Sequence, residues 1–150
     1  MAGTFSKLLV HVVFSTKNRA SLISKQWQNE LYQYMGGIIR SEEATLIEIG
    51  GTADHVHLLV QTKPIHTLSG LLKAIKGKSS KWVNDQKEKY RKFGWQDGYA
   101  AFTVSESQAR RVVDYIHSQE EHHKKIDFKA EFIALLKKHD VEYKEEYLWG

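Results

Sequence analysis

The segment His55–Thr62 constrains the fold most strongly, because apolar and polar side chains alternate along much of it. Successive side chains of a β-strand point to opposite faces, so the apolar set is expected to face a core. Pro64 ends the segment, since proline cannot donate to a sheet ladder. The predicted core-facing residues are Val56, Leu58 and Val60, and the opposite face carries His55, His57, Leu59 and Gln61.

The other periodic segments give the order β-α-β-β-α-β, followed by further helical sequence. Besides His55–Thr62, the predicted strands are Lys7–Ser15, Thr45–Ile49 and Tyr99–Val104. The predicted helices run from Trp27 to Ile38, Leu68 to about Lys89, Arg110 to Gln119, and Phe128 to Leu136. The predicted N-caps are Ser24 for the first helix, Ser105 in a capping box with Gln108 for the third, and Asp127 for the fourth.

This order is that of the ferredoxin-like, or RRM-like, α+β fold, in which an antiparallel sheet carries helices on one face. The first and third strands are neighbours in that topology. The second and third strands are joined by a short turn from Gly50 to Asp54, so we expect them to form a hairpin. The opposite face of the sheet is expected to be open for a site or a partner.

Positive charge is concentrated in one part of the chain. The segment Leu71–Lys92 carries eight basic and two acidic residues, a net charge of +6, whereas the remainder carries −2. A concentrated positive face is typical of proteins that bind a polyanion such as nucleic acid, and a solvated helix face gives the same pattern. The basic residues are Lys73, Lys76, Lys78, Lys81, Lys87, Lys89, Arg91 and Lys92.

Composition excludes several classes of site. The 150 residues include no cysteine, so disulfides, thiolate metal sites and cysteine nucleophiles are excluded. No apolar run approaches the roughly 18 residues of a transmembrane helix, and the first residues lack the pattern of a secretory signal. We therefore expect a cytoplasmic protein with no membrane partner, folded as one domain over residues 1–150.

His55 and His57 are the strongest candidates for chemistry. Two imidazoles two residues apart on one strand face can ligate one divalent metal ion. In the first strand, His11 falls among the residues that alternate away from the core. We therefore expect it on the same face of the sheet as His55 and His57, as a ligand or a substrate contact. Histidines that are merely exposed or hydrogen-bonded would give the same pattern.

Tyr115 and Gln119 form a second candidate pair, because residues four apart share one face of a helix. A tyrosine can serve as a covalent nucleophile in an activating environment, and a glutamine oxygen can join a metal site. A tyrosine that only packs in the core fits the spacing equally well. His117, His122 and His123 follow on the same helix without the spacing of a familiar zinc site, so we expect them to face solvent or contact phosphate.

Four segments over about residues 5–122 together resemble the IS200/IS605-like single-tyrosine transposases of the HUH nuclease group. They are His11–Arg19, the sequence GTADHVHLLV over Gly51–Val60, the basic helix Leu72–Lys81, and Tyr115-Ile116-x-x-Gln119. The resemblance implies one transposase domain with its core at about residues 5–122. A helix and tail over residues 126–150 follow that core, and the C-terminal helices carry the tyrosine.

The resemblance also implies an activity. It implies a DNA transposase that cleaves and rejoins single-stranded DNA with hairpin ends, at the bacterial or archaeal nucleoid, through a 5′-phosphotyrosine intermediate on Tyr115. His55, His57 and Gln119 would hold Mg²⁺ or Mn²⁺. Family members act as homodimers, in which the tyrosine of one subunit commonly serves the histidine pair of the other. The candidate DNA contacts are His11, Lys17, Arg19, Lys73, Lys76, Lys78 and Lys81.

Two other classes of function remain open from the residues. A nucleic-acid-binding module without catalysis would use the same sheet and form no covalent adduct. A metal-dependent phosphoesterase would use water as its nucleophile, so Tyr115 would be dispensable for cleavage.

Overall fold

Four strands form one antiparallel sheet in the computed structural model, which describes residues 3–86 and 92–149. The strands are β1 (Leu8–Ser15), β2 (Thr45–Gly51), β3 (His55–Thr62) and β4 (Ala100–Val104). Their order in the sheet is β2-β3-β1-β4. The predicted strands and the pairing of the first with the third are therefore confirmed, with β3 matching its predicted bounds.

The helices lie between and after these strands. They are α1 (Gln28–Ser41), α2 (Leu68–Gln86), α3 (Ala109–His117), α4 (Gln119–His122) and α5 (Phe128–Lys138). The predicted end of the second helix near Lys89, and the basic residues Lys87, Lys89 and Arg91, lie outside the described residues. No helix in the described part of the chain is long and apolar enough to cross a membrane.

The hairpin between β2 and β3 depends on a close backbone approach at Gly51. A Cβ atom at this position would lie 2.1 Å from the carbonyl oxygen of His55 and 2.9 Å from the Cα atom of Val56. Only glycine leaves room for such an approach. The turn closes with a hydrogen bond from the Thr52 amide to the His55 carbonyl, at 3.1 Å.

The main core lies between one face of the sheet and helices α1 and α2. The predicted apolar set of β3 is completely or almost completely buried there, together with Val12 and Phe14 of β1. Each of these helices contributes an apolar stripe to this core. Their central residues are Leu31, Met35 and Ile39 from α1 and Leu72 and Ile75 from α2.

The opposite face of the sheet is covered by α3 and α5, so the expectation that it stays open is wrong. Leu9 and Leu59 pack against Ile116 of α3. Val13 packs within a second cluster that α5 completes with Phe128, Phe132 and Leu136. The physical reason is that β1 and β3 carry apolar side chains on both faces, which must be buried on both sides.

The helix ends differ from their predictions at two of the three caps. Ser24 accepts a hydrogen bond from the Gln26 amide, and α1 begins only at Gln28. Ser105 makes no capping hydrogen bond; its hydroxyl lies 3.1 Å from that of Ser107, at the entry to a short 3-10 turn. Asp127 is confirmed as a cap, because its carboxylate accepts from the Ala130 amide at 2.8 Å. The third predicted helix breaks at Ser118, which separates α3 from α4.

Candidate active site

His55 and His57 lie on the face of the sheet that α3, α4 and α5 cover, and neither side chain is exposed. Nδ1 of His55 is 2.8 Å from the Asp54 carboxylate, which also accepts from the Thr52 hydroxyl at 3.0 Å. This contact places a proton on Nδ1 and leaves the lone pair on Nε2 when the ring is neutral. Nε2 faces the side-chain oxygen of Gln119 at 2.9 Å.

His57 contacts the third histidine of the sheet. Its Nδ1 lies 2.8 Å from Nε2 of His11, and the two rings stack with centroids 5.1 Å apart. Burial and the neighbouring ring lower the pKa of His11 to about 3. Burial also lowers the pKa of His57 to about 4, although Glu131 acts in the opposite direction. Both rings are therefore neutral near pH 7, which is the form that binds metal ions.

Glu131 of α5 lies at the centre of the site and was not predicted from the sequence. Its side chain is 2% exposed, and its carboxylate is 3.1 Å from Nε2 of His57 and 2.9 Å from Nε2 of His123. It also accepts a hydrogen bond from the Gln119 amide at 3.1 Å. Burial alone would raise the pKa of Glu131, but these hydrogen bonds hold it well below its usual range. The site therefore contains a carboxylate that is ionised near pH 7.

A sequence signal for Glu131 does exist. The buried stripe of α5 includes Phe128, Phe132 and Leu136, and Glu131 falls on the same face, three residues after the first of them. A charged residue on the buried face of an amphipathic helix needs a partner in the fold. The partner itself could not be found from the sequence, because it depends on how α5 packs on the sheet.

Tyr115 lies beside this carboxylate. Its hydroxyl donates a hydrogen bond to Oε2 of Glu131, and its ring centroid is 5.5 Å from that of His57. Burial and the negative charge of Glu131 raise the pKa of the Tyr115 hydroxyl, so this side chain is a neutral phenol near pH 7. Gln119 stays close despite the break at Ser118, since its amide nitrogen is 3.4 Å from the Tyr115 carbonyl oxygen.

The donor atoms of the site suit a divalent cation. One atom each from His55, His57 and Glu131 lie within 4.8 Å of one another. With Nδ1 of His55 protonated by its contact with Asp54, the lone pair on Nε2 points at oxygen atoms of Gln119 and Glu131. Such a convergence of lone pairs is satisfied by a metal ion, and imidazole with carboxylate is a common donor set.

Two of the three histidines at the end of the predicted tyrosine helix lie near Glu131, and of the three only His123 is largely withdrawn from solvent. Contact of these histidines with phosphate stays a prediction. The His123 side chain is 10% exposed, and a hydrogen bond to Glu131 raises its pKa although burial opposes this. The His122 side chain is 35% exposed, with Nε2 3.5 Å from Glu131. These three residues form a second group with donor atoms within 4.8 Å of one another. Only His117 is exposed as expected.

The predicted DNA contacts divide into two groups. Lys73, Lys78 and Lys81 are exposed on α2, on the side of the sheet away from the histidines. Lys78 and Lys81 also approach Glu42 and Asp85 at 3.8 and 2.6 Å. The roles of these lysines in DNA binding stay predictions.

The other predicted contacts are engaged within the protein. Lys76 donates to the carbonyl oxygens of Gln96, Asp97 and Gly98, which anchors the loop before β4. Burial lowers the pKa of Lys76 to about 8. Just after β1, Nζ of Lys17 lies 3.7 Å from the Asp97 carboxylate. The guanidinium carbon of Arg19 lies 4.7 Å from the centroid of the Trp149 ring. His11 is 5% exposed and bonded to His57. Their DNA contacts likewise stay predictions.

Comparison with known proteins places this arrangement in a family. The family model described as "Transposase IS200 like" matches residues 4–119, a range that includes both β3 histidines, Tyr115 and Gln119 but ends before α5. The transposase for insertion sequence element IS200 of Salmonella typhimurium is 32% identical over 123 residues, covering 76% of this chain and 78% of that protein. The ISDra2 transposase TnpA of Deinococcus radiodurans is 27% identical over 122 residues, covering 78% and 87%.

Two solved structures have the same fold. A candidate transposase from Deinococcus radiodurans R1 matches with a TM-score of 0.65 and 25% identity, over 79% of this chain and 95% of that one. A REP-associated tyrosine transposase bound to a REP hairpin matches with a TM-score of 0.63 and 15% identity, over 84% of this chain and 74% of that one. The second likeness concerns the fold alone.

Proposed function

Because this chain belongs to the family of IS200-like transposases, we propose that it cleaves and rejoins single-stranded DNA with the hydroxyl oxygen of Tyr115 as the nucleophile. The observation that carries the proposal is the position of that hydroxyl on Glu131, beside the paired imidazoles of His55 and His57. A nucleophile, a carboxylate and a candidate metal site thus meet in one buried cluster.

The metal-binding residues of the proposal are His55, His57 and Glu131, with the side-chain oxygen of Gln119 as a further candidate ligand. Mg²⁺ or Mn²⁺ bound there would polarise the scissile phosphate and offset its negative charge. Asp54 orients the His55 ring through Nδ1, and His11 contacts the outer nitrogen of His57. Such outer contacts fix the nitrogen that faces the metal.

The reaction exchanges one phosphoester bond for another. The Tyr115 oxygen attacks the phosphorus atom, the Tyr115–phosphorus bond forms, and the bond from phosphorus to the 3′ oxygen breaks. Oε2 of Glu131 accepts the hydrogen bond of the phenol and thereby orients its oxygen. The proton that Tyr115 loses in this step is balanced by the proton that the departing 3′ oxygen takes up. The products are a 5′-phosphotyrosine and a free 3′-hydroxyl. A 3′-hydroxyl from another DNA end then attacks the phosphotyrosine, which restores a phosphodiester and the free tyrosine without an external energy source.

We propose that Tyr115 acts on DNA bound by the histidine pair of its own chain, because α5 brings the two together within one chain. A homodimer in which Tyr115 acts in trans is the alternative that the family resemblance implies. Mixing Tyr115→Phe with His57→Ala decides between them: restored activity in the mixture requires action in trans, whereas action in cis leaves the mixture inactive.

The proposed substrate is single-stranded DNA with hairpin ends. A REP-associated tyrosine transposase of the same fold was solved bound to a REP hairpin, which supports this substrate class. The exposed lysines of α2 are the proposed contacts to its phosphates. Such a substrate would place the activity at the nucleoid, in the cytoplasm.

The test is formation of a denaturant-stable protein–DNA adduct. Labelled single-stranded DNA from the sequences that flank the gene is incubated with the protein and Mn²⁺. Tyr115→Phe should form no adduct, whereas Tyr147→Phe, at a tyrosine 73% exposed and outside the site, should behave as the unmodified protein. Cleavage without any adduct would support the water-using phosphoesterase instead. Binding by metal-loaded protein with neither cleavage nor adduct would support the module without catalysis.

A further inference from the structure

A cavity of about 620 Å³ lies beside Tyr115, between β4, α3 and α5. Its volume is in the range of sites that hold a small organic ligand. Three of its lining residues, Leu135, Lys138 and His139, come from α5 and the residue that follows it, which lie beyond the segment matched by the family model. The lining side chains that matter here are His11, Phe102, Arg111, Tyr115, Lys138 and His139.

The charge of this α3–α5 cavity favours an anion. Arg111 from α3 and Lys138 from α5 both line it, and no acidic side chain does. Within residues 3–86 and 92–149, no carboxylate lies within ion-pairing distance of either cation. A phosphate that enters a cavity lined by cations from two different helices can contact both of them.

The cavity also offers an aromatic surface. The rings of Phe102 and His139 stack with centroids 4.1 Å apart and an angle of 21° between their planes. Phe102 is buried, whereas His139 is exposed, so the outer face of the imidazole is available to a further ring. Bases of single-stranded nucleic acids stack on such rings without requiring a particular sequence.

We infer that the α3–α5 cavity binds one nucleotide of the single-stranded DNA next to the scissile phosphate, with Arg111 and Lys138 on its phosphate and His139 against its base. The inference rests on the proposed function, because Tyr115 lies between this cavity and the histidine pair. It gives the C-terminal helix a second role, since α5 then supplies part of the substrate site as well as Glu131.

The chain provides a matched control for the two cations. Arg110 and Lys137 immediately precede Arg111 and Lys138 in the same helices, and neither lines the cavity. The double variants Arg111→Ala/Lys138→Ala and Arg110→Ala/Lys137→Ala therefore lose the same charge from the same elements. Only the first pair loses the proposed phosphate contacts.

The first measurement is the affinity for a single-stranded oligonucleotide at several salt concentrations. The cavity variant should bind at least about tenfold more weakly than the control variant. When log affinity is plotted against log salt concentration, the slope for the cavity variant should also be smaller in magnitude than that for the control variant, by about 1 to 2. Equal affinities of the two double variants would overturn the inference.

The second measurement uses small probes: thymidine 5′-monophosphate, thymidine and inorganic phosphate, each followed by NMR shifts of the Phe102 and His139 ring protons. The monophosphate should produce saturable shifts at lower concentration than either fragment, and His139→Ala should weaken its binding. Shifts by phosphate that equal those by the nucleotide would leave no role for the base and overturn the inference. Absence of any shift would overturn it as well.

The outcomes separate this inference from the proposed function. If the protein forms a Tyr115-dependent adduct but the cavity and control variants bind the oligonucleotide with equal affinity, the nucleotide site is rejected and the proposed Tyr115 chemistry stands. Saturable nucleotide binding that the cavity variant loses, in a protein that forms no adduct, would reject the Tyr115 chemistry and keep the nucleotide site.

Discussion

The hydroxyl of Tyr115 donates a hydrogen bond to the carboxylate of Glu131, 16 residues later in the same chain. The contact joins α3, which the family match covers, to α5, which it does not. The same carboxylate lies 3.1 Å from His57, so one side chain links the tyrosine to the histidine pair. The C-terminal helix is therefore part of the active site that we propose.

Replacing Glu131 with glutamine tests its place in the metal site. The amide keeps the size of the side chain but removes the charge and one of the oxygen ligands. We expect the affinity for Mn²⁺, measured by calorimetry, to fall by at least about tenfold. Glu142→Gln, at an exposed position in the tail, is the control. An unchanged affinity in Glu131→Gln, with a loss in Gln119→Ala, would instead assign the ligand set His55, His57 and Gln119.

Asp54→Asn tests the orientation of His55. The Asp54 carboxylate accepts a hydrogen bond from Nδ1 of His55. Burial by itself would raise the pKa of Asp54, but the bond to His55 lowers it below its ordinary value. An asparagine can present its amide group to the ring and favour the other tautomer, which removes the lone pair from Nε2. We expect the Mn²⁺ affinity to fall about 10- to 100-fold with little change in fold by circular dichroism. Asp85→Asn, on the exposed side of α2, should have no effect.

Gly50→Ala tests the packing that places Tyr115. A Cβ atom at position 50 would lie 2.3 Å from the carbonyl oxygen of Ile116, the residue that follows the tyrosine. Relieving this overlap requires α3 to move away from β2, at a cost of about 1–3 kcal/mol. We expect a lower free energy of unfolding and loss of adduct formation.

The control for that substitution is Gly77, a glycine that lies in a helix and not in a strand. Gly77→Ala adds a Cβ atom with no atom within 4 Å in the middle of α2. It should raise the free energy of unfolding by about 0.5–1 kcal/mol and leave adduct formation unchanged. Equal effects of the two substitutions in urea unfolding would contradict the packing argument.

The stability of the metal-free protein should fall as the pH is lowered from about 6.5 to about 4. Burial gives His57 a pKa of about 4 in the folded protein, below the ordinary value of 6.5. The unfolded chain therefore binds its proton first, and a lowering of this size corresponds to about 3 kcal/mol. His11, with a pKa of about 3, acts in the same direction.

Two neighbouring groups shape the rest of this profile. Glu131 has a lowered pKa, so its contribution is present above the ordinary carboxyl range and is lost below it. His123 has a raised pKa, so its contribution is present below about pH 6.5 and is lost as the pH rises. Urea unfolding at several pH values gives the profile, and His57→Gln should flatten its section between about pH 6.5 and about pH 4. A profile of His57→Gln parallel to that of the unmodified protein would contradict this account.

The sheet could be predicted because its signals are local. Alternation along β3, the turn at Gly51 and the proline at position 64 fix the strand bounds, and the order of elements then fixes the neighbours of each strand. The prediction that His55, His57 and His11 share one face follows from the same alternation. These features require no knowledge of how distant segments pack.

The contents of the site could be predicted only in part. Tyr115 and Gln119 are found from their helical spacing, but Glu131 contacts them through the packing of α5, which no short-range pattern specifies. The same packing buries His123 and closes the sheet face that was expected to be open. Leu9 and Leu59 are the residues that signal this closure, since they place apolar side chains on the histidine face.

The most direct test of the central claim is identification of the covalently modified residue by mass spectrometry. Protein incubated with single-stranded DNA and Mn²⁺ is digested with nuclease and protease, and the peptides are sequenced. We predict a phosphodeoxynucleotide linked through its 5′ phosphate to Tyr115, formed only with metal and absent in His57→Ala. A nucleotide attached to any other residue, or cleaved DNA with no modified peptide, would contradict Tyr115 as the nucleophile.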